Sequence, residues 1–402
     1  MKFGILIFSM ILPLVISCSG GGVGAYPPLP VEHYWIVKVT GELSQARDMH
    51  TATLLQDGRV LVVGGETQGN EFPNGVAAAE LYDPATQTWS PAGNLVNRRL
   101  RHSAVLLPNG KVIVLGGWDY VNGRGVTGLL AVEEWDPATK SFHVIGSLLQ
   151  ERAGGQAFLR QDGKIQVVGG FDSNSPITSE TYRTEIFDPV SGTSQPDFYL
   201  NELEINASLV PIDSSHFILM GGENGLGSWH QLDSAYLYAT DGSQPNPSAG
   251  GTLPRAFSGN SAVNVPSGKV VAGGGFNQFR GIGDTISIID YAHLGSGISS
   301  VKMSKPRMGH QTMIFPDGTV GFVAGETFTG YAPTSYLSDI DVLDLSTMKT
   351  SLLPAKLRVP RTCHTLTPLG DGSFLIVGGY NYQPGSGYGQ VSLSTCERLV
   401  YQ

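Results

Sequence analysis

Arginine recurs about every fifty residues, and in four places a histidine follows it three residues later. The pairs are Arg47 and His50, Arg99 and His102, Arg307 and His310, and Arg361 and His364; Arg152 and Arg255 stand in the equivalent place without histidine, and Glu204 takes it once. A guanidinium group binds a carboxylate through two parallel hydrogen bonds. Gathered at one opening, the six arginines would form a cationic ring, which predicts that they bind a carboxylate or another anionic group.

The same residues have two alternative interpretations. Each arginine can pair with an Asp or Glu of a neighbouring strand, and repetition in nearly every unit is what a structural role predicts. The four histidines could be metal ligands, but one ion needs all its ligands at about 2.0 to 2.1 Å. The strands that would carry these histidines diverge, so we expect no metal and semi-buried histidines bonded to the backbone.

The elements that position these residues belong to a repeat, first seen in "QDGRVLVVGG" at residues 56–65. An Asp-Gly turn opens a strand of β-branched residues, and two glycines close it. The second glycine of successive copies falls at 65, 117, 170, 222, 274, 325 and 379. Each copy adds an apolar strand before the turn, a third strand that often ends in aromatic-Asp-Pro, and a fourth short strand carrying Trp89 in the first copy.

Four antiparallel strands per repeat are typical of a propeller blade, and seven copies predict an all-β, seven-bladed β-propeller. The last copy lacks its outer strand, which would leave a sheet edge unpaired. We predict that residues 34–39 supply this strand, with Trp35 in the role of Trp89, so that residues 33–402 form one domain. The glycines are then scaffold residues that allow a turn and close packing of the next blade.

The repeats resemble those of the kelch family over nearly all of the mature chain, in the double glycine, the aromatic-Asp step and the later Trp or Phe. "RHSAVLLPNGKVIVLGG" (residues 101–117) is similar to segments of the galactose oxidase family. That resemblance implies a copper site with an adjacent Tyr-His pair and a tyrosine cross-linked to cysteine. The chain has no Tyr-His dipeptide, so we expect no cofactor. The chain also resembles the kelch-type sialic acid mutarotases, which use no cofactor. A carbohydrate-active enzyme is therefore an alternative.

The N-terminus resembles a bacterial lipoprotein signal. Lys2 precedes an apolar run, and Val15-Ile16-Ser17-Cys18 is similar to a lipobox, in which the cysteine is lipidated. We predict a signal peptide at 1–17, a flexible tether at 18–32 and attachment to the bacterial cell envelope, at the outer membrane or cell surface, through Cys18. Cys363 and Cys396 fall two strand spacings apart, which favours two separate thiols.

Binding is expected on the face that carries the loops from the second to the third strand and from the fourth strand to the next blade, here called the loop face. These loops carry the aromatic residues Trp118, Tyr120, Trp229, Phe276, Tyr331 and Tyr380. A net charge of −9 argues against nucleic acid. We therefore predict a monomeric propeller that binds a glycan or a cell-envelope protein, with a sugar oxidase or mutarotase as the alternative enzyme and a purely structural part as a third interpretation.

Overall fold

The computed structural model describes residues 34–68, 74–121, 125–171, 183–201, 206–213, 215–224, 230–240, 250–328, 335–383 and 389–402. One compact unit spans Tyr34–Gln402. The predicted signal peptide, the lipidation site Cys18 and the predicted tether at 18–32 lie outside the described residues. Within the described ranges every regular element is a strand, and none is a helix able to cross a membrane.

Seven four-stranded antiparallel sheets make up the fold, which confirms the predicted seven-bladed β-propeller. The first strand is β1 (Trp35–Val39). Blade 1 contains β2 (Thr51–Leu54), β3 (Val60–Val63), the small hairpin β4 (Glu66–Thr67) and β5 (Asn74–Gly75), β6 (Ala78–Asp83) and β7 (Thr88–Asn94). Blade 2 contains β8 (Ser103–Leu106), β9 (Val112–Leu115), the hairpin β10 (Trp118–Val121) and β11 (Gly125–Gly128), β12 (Ala131–Asp136) and β13 (Ser141–Ser147).

The middle blades repeat this order. Blade 3 contains β14 (Gln156–Leu159), β15 (Ile165–Val168), β16 (Arg183–Asp188) and β17 (Thr193–Tyr199). Blade 4 contains β18 (Ser208–Pro211), β19 (His216–Met220), β20 (Glu223–Asn224), β21 (His230–Gln231), β22 (Ser234–Ala239) and β23 (Gly250–Thr252). Blade 5 contains β24 (Ser261–Val265), β25 (Lys269–Gly273), β26 (Phe276–Asn277), β27 (Gly281–Ile282), β28 (Thr285–Asp290) and β29 (Ile298–Lys302).

The last two blades complete the ring. Blade 6 contains β30 (Gln311–Ile314), β31 (Val320–Val323), β32 (Glu326–Thr327), β33 (Ser335–Tyr336), β34 (Ile340–Asp344) and β35 (Lys349–Leu352). Blade 7 contains β36 (Thr365–Pro368), β37 (Phe374–Val377), β38 (Tyr380–Tyr382), β39 (Gln390–Ser392) and β40 (Cys396–Tyr401).

The N-terminal strand β1 closes the ring as predicted. It pairs antiparallel with β40, from Trp35 opposite Tyr401 to Val39 opposite Glu397, and so becomes the outer strand of blade 7. The Trp35 ring packs 4.7 Å from that of Phe315 in blade 6. The first and last strands of the chain therefore share one sheet, and Trp35 joins that sheet to the blade before it.

The core lies between the blades. All four residues of β3 are buried, and so are all four of β9, because each second strand is covered by a sheet on both sides. Leu61 of blade 1 and Val112 of blade 2 belong to one apolar cluster with Trp135. This stacking explains why these strands are continuous apolar runs instead of alternating ones.

The glycine pairs have the scaffold role predicted for them. Gly65 has φ +95°, and a Cβ there would lie 2.4 Å from the Asp48 carbonyl oxygen. Its N–H donates 2.9 Å to the carbonyl of Arg99 in the next blade, so each pair reverses the chain and ties two blades together. In blade 5 the equivalent pair is Gly274 and Gly275, so the predicted second glycine at 274 was wrong by one residue.

Candidate ligand-binding site

A central cavity of about 760 Å³ opens among the starts of the seven inner strands. At its rim each blade contributes one residue with positive φ: Met49, Arg101, Gly154, Asn206, Gly259, Gly309 and Cys363. Backbone hydrogen bonds link these residues from blade to blade; for example, Arg101 N–H donates to Met49 O at 3.1 Å and Met49 N–H to Cys363 O at 3.4 Å. These residues, here called the rim ring, fix the opening of the channel at the loop face.

The channel wall below the rim ring is also tied from blade to blade. Ser103 Oγ donates to Gly155 O at 3.1 Å, and Ser208 Oγ donates to Asn260 O at 3.2 Å. His102 Nε2 and Thr51 Oγ1 lie 2.9 Å apart. These polar groups already have partners in the neighbouring blade, so this part of the wall holds the blades together.

Five of the six predicted arginines are buried away from the cavity and make one repeated contact, here called the arginine clamp. Arg99 shows it clearly: its guanidinium donates to Glu133 Oε1 at 2.7 Å and to the carbonyl of Gly116, the first glycine of the pair, at 3.1 Å. The other oxygen of Glu133 accepts from the N–H of Val96 at 2.7 Å, three residues before the arginine.

The clamp recurs with little change. Its ion pairs join Arg47 to Glu80, Arg99 to Glu133, Arg152 to Glu185, Arg307 to Asp339 and Asp341, and Arg361 to Glu397. All five arginine side chains are at most 2% exposed. Each arginine has a carboxylate partner on the third strand of its own blade, so the clamp fastens the incoming connection to that blade. The five arginines therefore have the structural role that was the alternative to a cationic ring. Each of them pairs with a carboxylate of its own blade.

Blade 5 replaces the clamp with apolar packing, and here one assignment from the sequence was wrong. The carbonyl of Phe257 accepts the N–H of Gly222, just as the carbonyl of Arg99 accepts the N–H of Gly65. Phe257, and not Arg255, therefore takes the place of the clamp arginine. Phe257 is 2% exposed. Arg255 is partly exposed and donates to the carbonyls of Arg280 and Gly281. Glu204, the exception in blade 4, lies outside the described residues.

The four histidines are buried, and two of them bond side chains of the neighbouring blade instead of the predicted backbone groups. His50 Nε2 lies 3.0 Å from Thr365 Oγ1, the counterpart of the His102 and Thr51 contact. Burial, reinforced by the nearby Arg99 charge, lowers the pKa of His102 to about 3, so this ring is neutral at physiological pH. Among the residues that the structure describes, no three His, Cys, Asp or Glu side chains are placed to hold one metal ion. The described residues therefore offer no His, Cys, Asp or Glu cluster for the copper site that the galactose oxidase resemblance implies.

Arg101, which the sequence analysis missed, is the arginine of the rim ring and lines the cavity. Its guanidinium lies 5.6 Å from the centre of the Trp118 ring. It donates to Met49 Sδ at 3.2 Å and to Asn206 Oδ1 at 3.3 Å. Among the described residues it has no carboxylate within salt-bridge distance, so several of its N–H groups face weak acceptors or none. The signal was present in "RRLRH" (residues 98–102), where Arg101 directly precedes His102.

The predicted aromatic residues occupy the loop face in part. Trp118 and Phe276 directly follow glycine pairs, and Phe276 lines the cavity. Trp118 packs edge-on against Phe171 at 5.2 Å. Trp229 and Tyr331 lie outside the described residues. The described aromatics therefore give one ring, Trp118, in contact with the cavity-lining Arg101.

Tyr120 and Tyr380 bind buried carboxylates instead of offering an open stacking surface. Tyr120 O–H donates to Glu66 Oε2 at 2.6 Å, and Tyr380 O–H donates to Glu326 Oε1 at 3.4 Å. Burial and the neighbouring carboxylate raise the pKa of the Tyr120 phenol. Glu66 follows the glycine pair of blade 1, Glu326 follows Ala324-Gly325 of blade 6, and in both cases the tyrosine comes from the next blade.

Asp48 is fully buried beside Glu66, with which it forms a backbone bridge. Burial raises the pKa of Asp48 to about 8, and the charge and side-chain hydrogen bond of Glu66 act in the same direction. Ser392 of blade 7 donates to Asp48 Oδ2 at 2.6 Å. Asp48, whose protonated form is favoured, therefore lies next to Glu66 at the junction of three blades.

The two cysteines of the propeller are free thiols. Burial raises the pKa of Cys363 to about 12, and that of Cys396 likewise to about 12. Cys363 belongs to the rim ring, whereas Cys396 begins β40. Neither is a reactive thiolate near neutral pH.

Comparison with known proteins finds kelch proteins among short sequence matches. No protein-family model matches the chain. A segment of 79 residues is 34% identical to tRNA wybutosine-synthesizing protein 4 of Saccharomyces cerevisiae, covering 19% of this chain and 11% of that protein. A segment of 92 residues is 29% identical to Kelch-like protein 23 of Mus musculus and of Homo sapiens, covering 23% of this chain and 14% of each relative. The chain thus matches only a small part of each curated relative.

Solved structures agree with the fold over most of the chain. A fungal alcohol oxidase of the AA5 family, in complex with copper, superposes with a TM-score of 0.67 at 16% identity over 91% of this chain and 76% of that one. The structure of YjhT superposes with a TM-score of 0.56 at 15% identity over 79% of this chain and all of that one. The chain is therefore a kelch-type seven-bladed β-propeller, and at this level of identity the likeness concerns the fold alone.

Proposed function

We propose that this propeller binds a glycan that carries a carboxylate, at the mouth of its central channel. One observation supports the proposal above the others: Arg101 lines the cavity with its charge unpaired by any described carboxylate. A guanidinium in this position can take a ligand carboxylate through two hydrogen bonds. Phe276, which lines the same cavity, offers a ring to the apolar face of a sugar.

The shape of the opening favours a small ligand over a protein partner. A volume of about 760 Å³ lies within the range of roughly 300 to 1,000 Å³ found for small-molecule sites. A stable protein partner would instead need a complementary surface of about 800 Å² on each side. Asn206 and Glu223, which are joined by a 2.8 Å hydrogen bond at the cavity wall, add donors and acceptors suited to sugar hydroxyls.

Isothermal titration of the purified protein with a uronic acid and with the matching neutral sugar tests this proposal. We expect the acid to bind more tightly than the neutral sugar, and Arg101→Ala to weaken its binding about tenfold or more, as loss of a charge-assisted hydrogen bond of about 1.5 to 3 kcal/mol implies. Arg59→Ala is the matched control, since Arg59 pairs with Asp57 in an exposed turn at 2.6 Å. Equal affinity of Arg101→Ala and the unaltered protein would contradict the proposal, and binding of a protein but no sugar would replace it.

A sugar-converting enzyme is the second candidate, and Glu223 at the cavity wall favours it, because a carboxylate beside a bound sugar can act as a general base. The titration samples test this directly: NMR spectra that show the bound sugar turning into another species indicate turnover, whereas unchanged spectra indicate binding alone.

We also propose attachment to the bacterial cell envelope through a lipid on Cys18, on the basis of the lipobox-like sequence. Detergent phase partitioning of the expressed protein tests it. The unaltered protein should enter the detergent phase and Cys18→Ala should remain in the aqueous phase; equal partitioning would exclude the anchor.

A further inference from the structure

Three small hairpins on the loop face meet at one pair of carboxyl groups. Glu66 begins the β4 and β5 hairpin of blade 1 and receives the Tyr120 hydroxyl from the β10 and β11 hairpin of blade 2, at 2.6 Å. Asp48 receives the Ser392 hydroxyl, at 2.6 Å, from the β38 and β39 hairpin of blade 7. The pair is therefore the point through which the side chains of three blades are joined.

The remaining contacts strengthen the same junction. The backbone N–H of Gln68 donates to Ser392 Oγ at 2.7 Å, and the side-chain amide of Gln68 donates to Glu66 Oε1 at 3.0 Å. Glu66 thus accepts from two neutral donors, as a carboxylate does. Asp48 Oδ1 is buried and receives no donor from the described residues, which is costly for a second carboxylate and acceptable for a protonated acid.

We propose that Asp48 and Glu66 share a single proton and that the protonated pair is a pH-sensitive latch, which holds the hairpins of blades 7, 1 and 2 together. Loss of the proton to solvent leaves two negative charges in a buried site. Their mutual repulsion and desolvation favour separation of the hairpins, since water can then reach both carboxylates.

The surrounding groups decide the direction of this response. The titratable or charged groups that interact with Asp48 are Glu66, Arg101, Tyr120, Cys363 and Tyr380. The hydrogen bond from Ser392 and the charge of Arg101, the only cation among these groups, both favour ionised Asp48. Burial and Glu66 prevail over them, because the pKa of Asp48 is raised from 3.8 to about 8.

The closed state therefore holds one proton more than an open, hydrated state between about pH 4 and pH 8. Its stabilisation is complete below this window and is lost as the pH rises through it. In the upper part of the window the fraction of molecules in which the latch is open should rise roughly tenfold per pH unit. This fraction should level off above about pH 8.

Hydrogen exchange of backbone amides from pH 6 to pH 9 tests the latch. Each measured exchange rate is divided by the intrinsic rate of the same amide. The corrected rates in the hairpins of blades 7, 1 and 2 should rise with pH as the open fraction does. The β26 and β27 hairpin of blade 5 provides a reference in the same sample. Asp48→Asn, which keeps the shape without the second charge, should abolish the rise.

Glu66→Gln provides the same test if Asp48→Asn does not fold. Asp57→Asn, in an exposed turn, is the matched control and should leave the rise unchanged. The proposal is overturned if the three hairpins follow the blade 5 hairpin at every pH, or if a folded variant lacking one of the two charges retains the full pH dependence.

Discussion

Removal of the Arg99 side chain should destabilise the propeller severely, although Arg99 touches no part of the cavity. The guanidinium is fully buried and donates to Glu133 and to the carbonyls of Gly116 and Ala131. Arg99→Ala would leave the Glu133 carboxylate, itself 0% exposed, without its counter-charge. Breaking a buried ion pair in this way costs about 3 to 5 kcal/mol, a large part of the roughly 5 to 15 kcal/mol that stabilises a typical domain.

Blade 5 indicates how the loss can be repaired. There Pro254, Phe257 and Ser287 stand where blade 2 has Val96, Arg99 and Glu133. The proline has no N–H to satisfy, so neither the carboxylate nor the arginine is needed. We expect the triple substitution Val96→Pro, Arg99→Phe and Glu133→Ser to recover most of the stability, because well-packed apolar groups can replace a buried ion pair at little cost. Without Val96→Pro, the Val96 N–H loses its acceptor at a cost of about 1 to 3 kcal/mol.

Urea unfolding at pH 7, followed by circular dichroism, provides the measurement. The midpoint should fall far more for Arg99→Ala than for Arg59→Ala, whose partly exposed ion pair contributes about 0 to 1 kcal/mol. If both variants shift the midpoint equally, or if the triple variant is no more stable than Arg99→Ala, the clamp is not the stabilising unit described here.

Two further predictions concern the closure of the ring and its thiols. Trp35→Ala should destabilise the protein by about 1 to 3 kcal/mol and favour aggregation, because it removes the half-buried ring packed against Phe315 and loosens the outer strand; thermal unfolding with light scattering measures both effects, and an unchanged melting temperature would refute it. Cys363 and Cys396 should resist a thiol reagent at pH 7 in the folded protein and react rapidly in urea, because burial raises both pKa values to about 12; rapid labelling of either thiol in the native state would contradict this.

Most of the fold could be predicted from the sequence because one physical solution is repeated seven times. The glycine pairs and the buried second strands follow from local rules that nearly every copy obeys, and the closing role of residues 34–39 follows from the outer strand that the last copy lacks. Errors arose where one copy departs from the pattern. Three consecutive glycines at 273–275 concealed the register of blade 5, and Arg255 resembled the clamp arginine only because Phe257 had taken its place.

The site was harder to predict because side-chain direction depends on backbone angles that sequence spacing does not reveal. Arg99 and Arg101 are two residues apart, yet one is sealed inside blade 2 and the other lines the cavity. The φ of +49° at Arg101 sets this difference, since such an angle is uncommon for arginine and redirects the chain within one residue. The partners of the clamp arginines lie about 32 to 36 residues further along the chain, where composition alone does not single them out.

The pairing of β1 with β40 has a consequence for the order in which the molecule can assemble. Trp35 lies opposite Tyr401, so β1, which is made before the blades, must wait for β40, the last of the described strands to be made. Blades 1 to 6 can form in sequence from local hairpins, whereas blade 7 requires a contact across almost the whole domain, and such contacts form slowly. Until then the edges of β1 and of β40 are both open to pairing with other chains. The same strand that completes blade 7 in the finished ring therefore leaves the unfinished chain most vulnerable, and a chain cut short by even a few C-terminal residues would remain in that state.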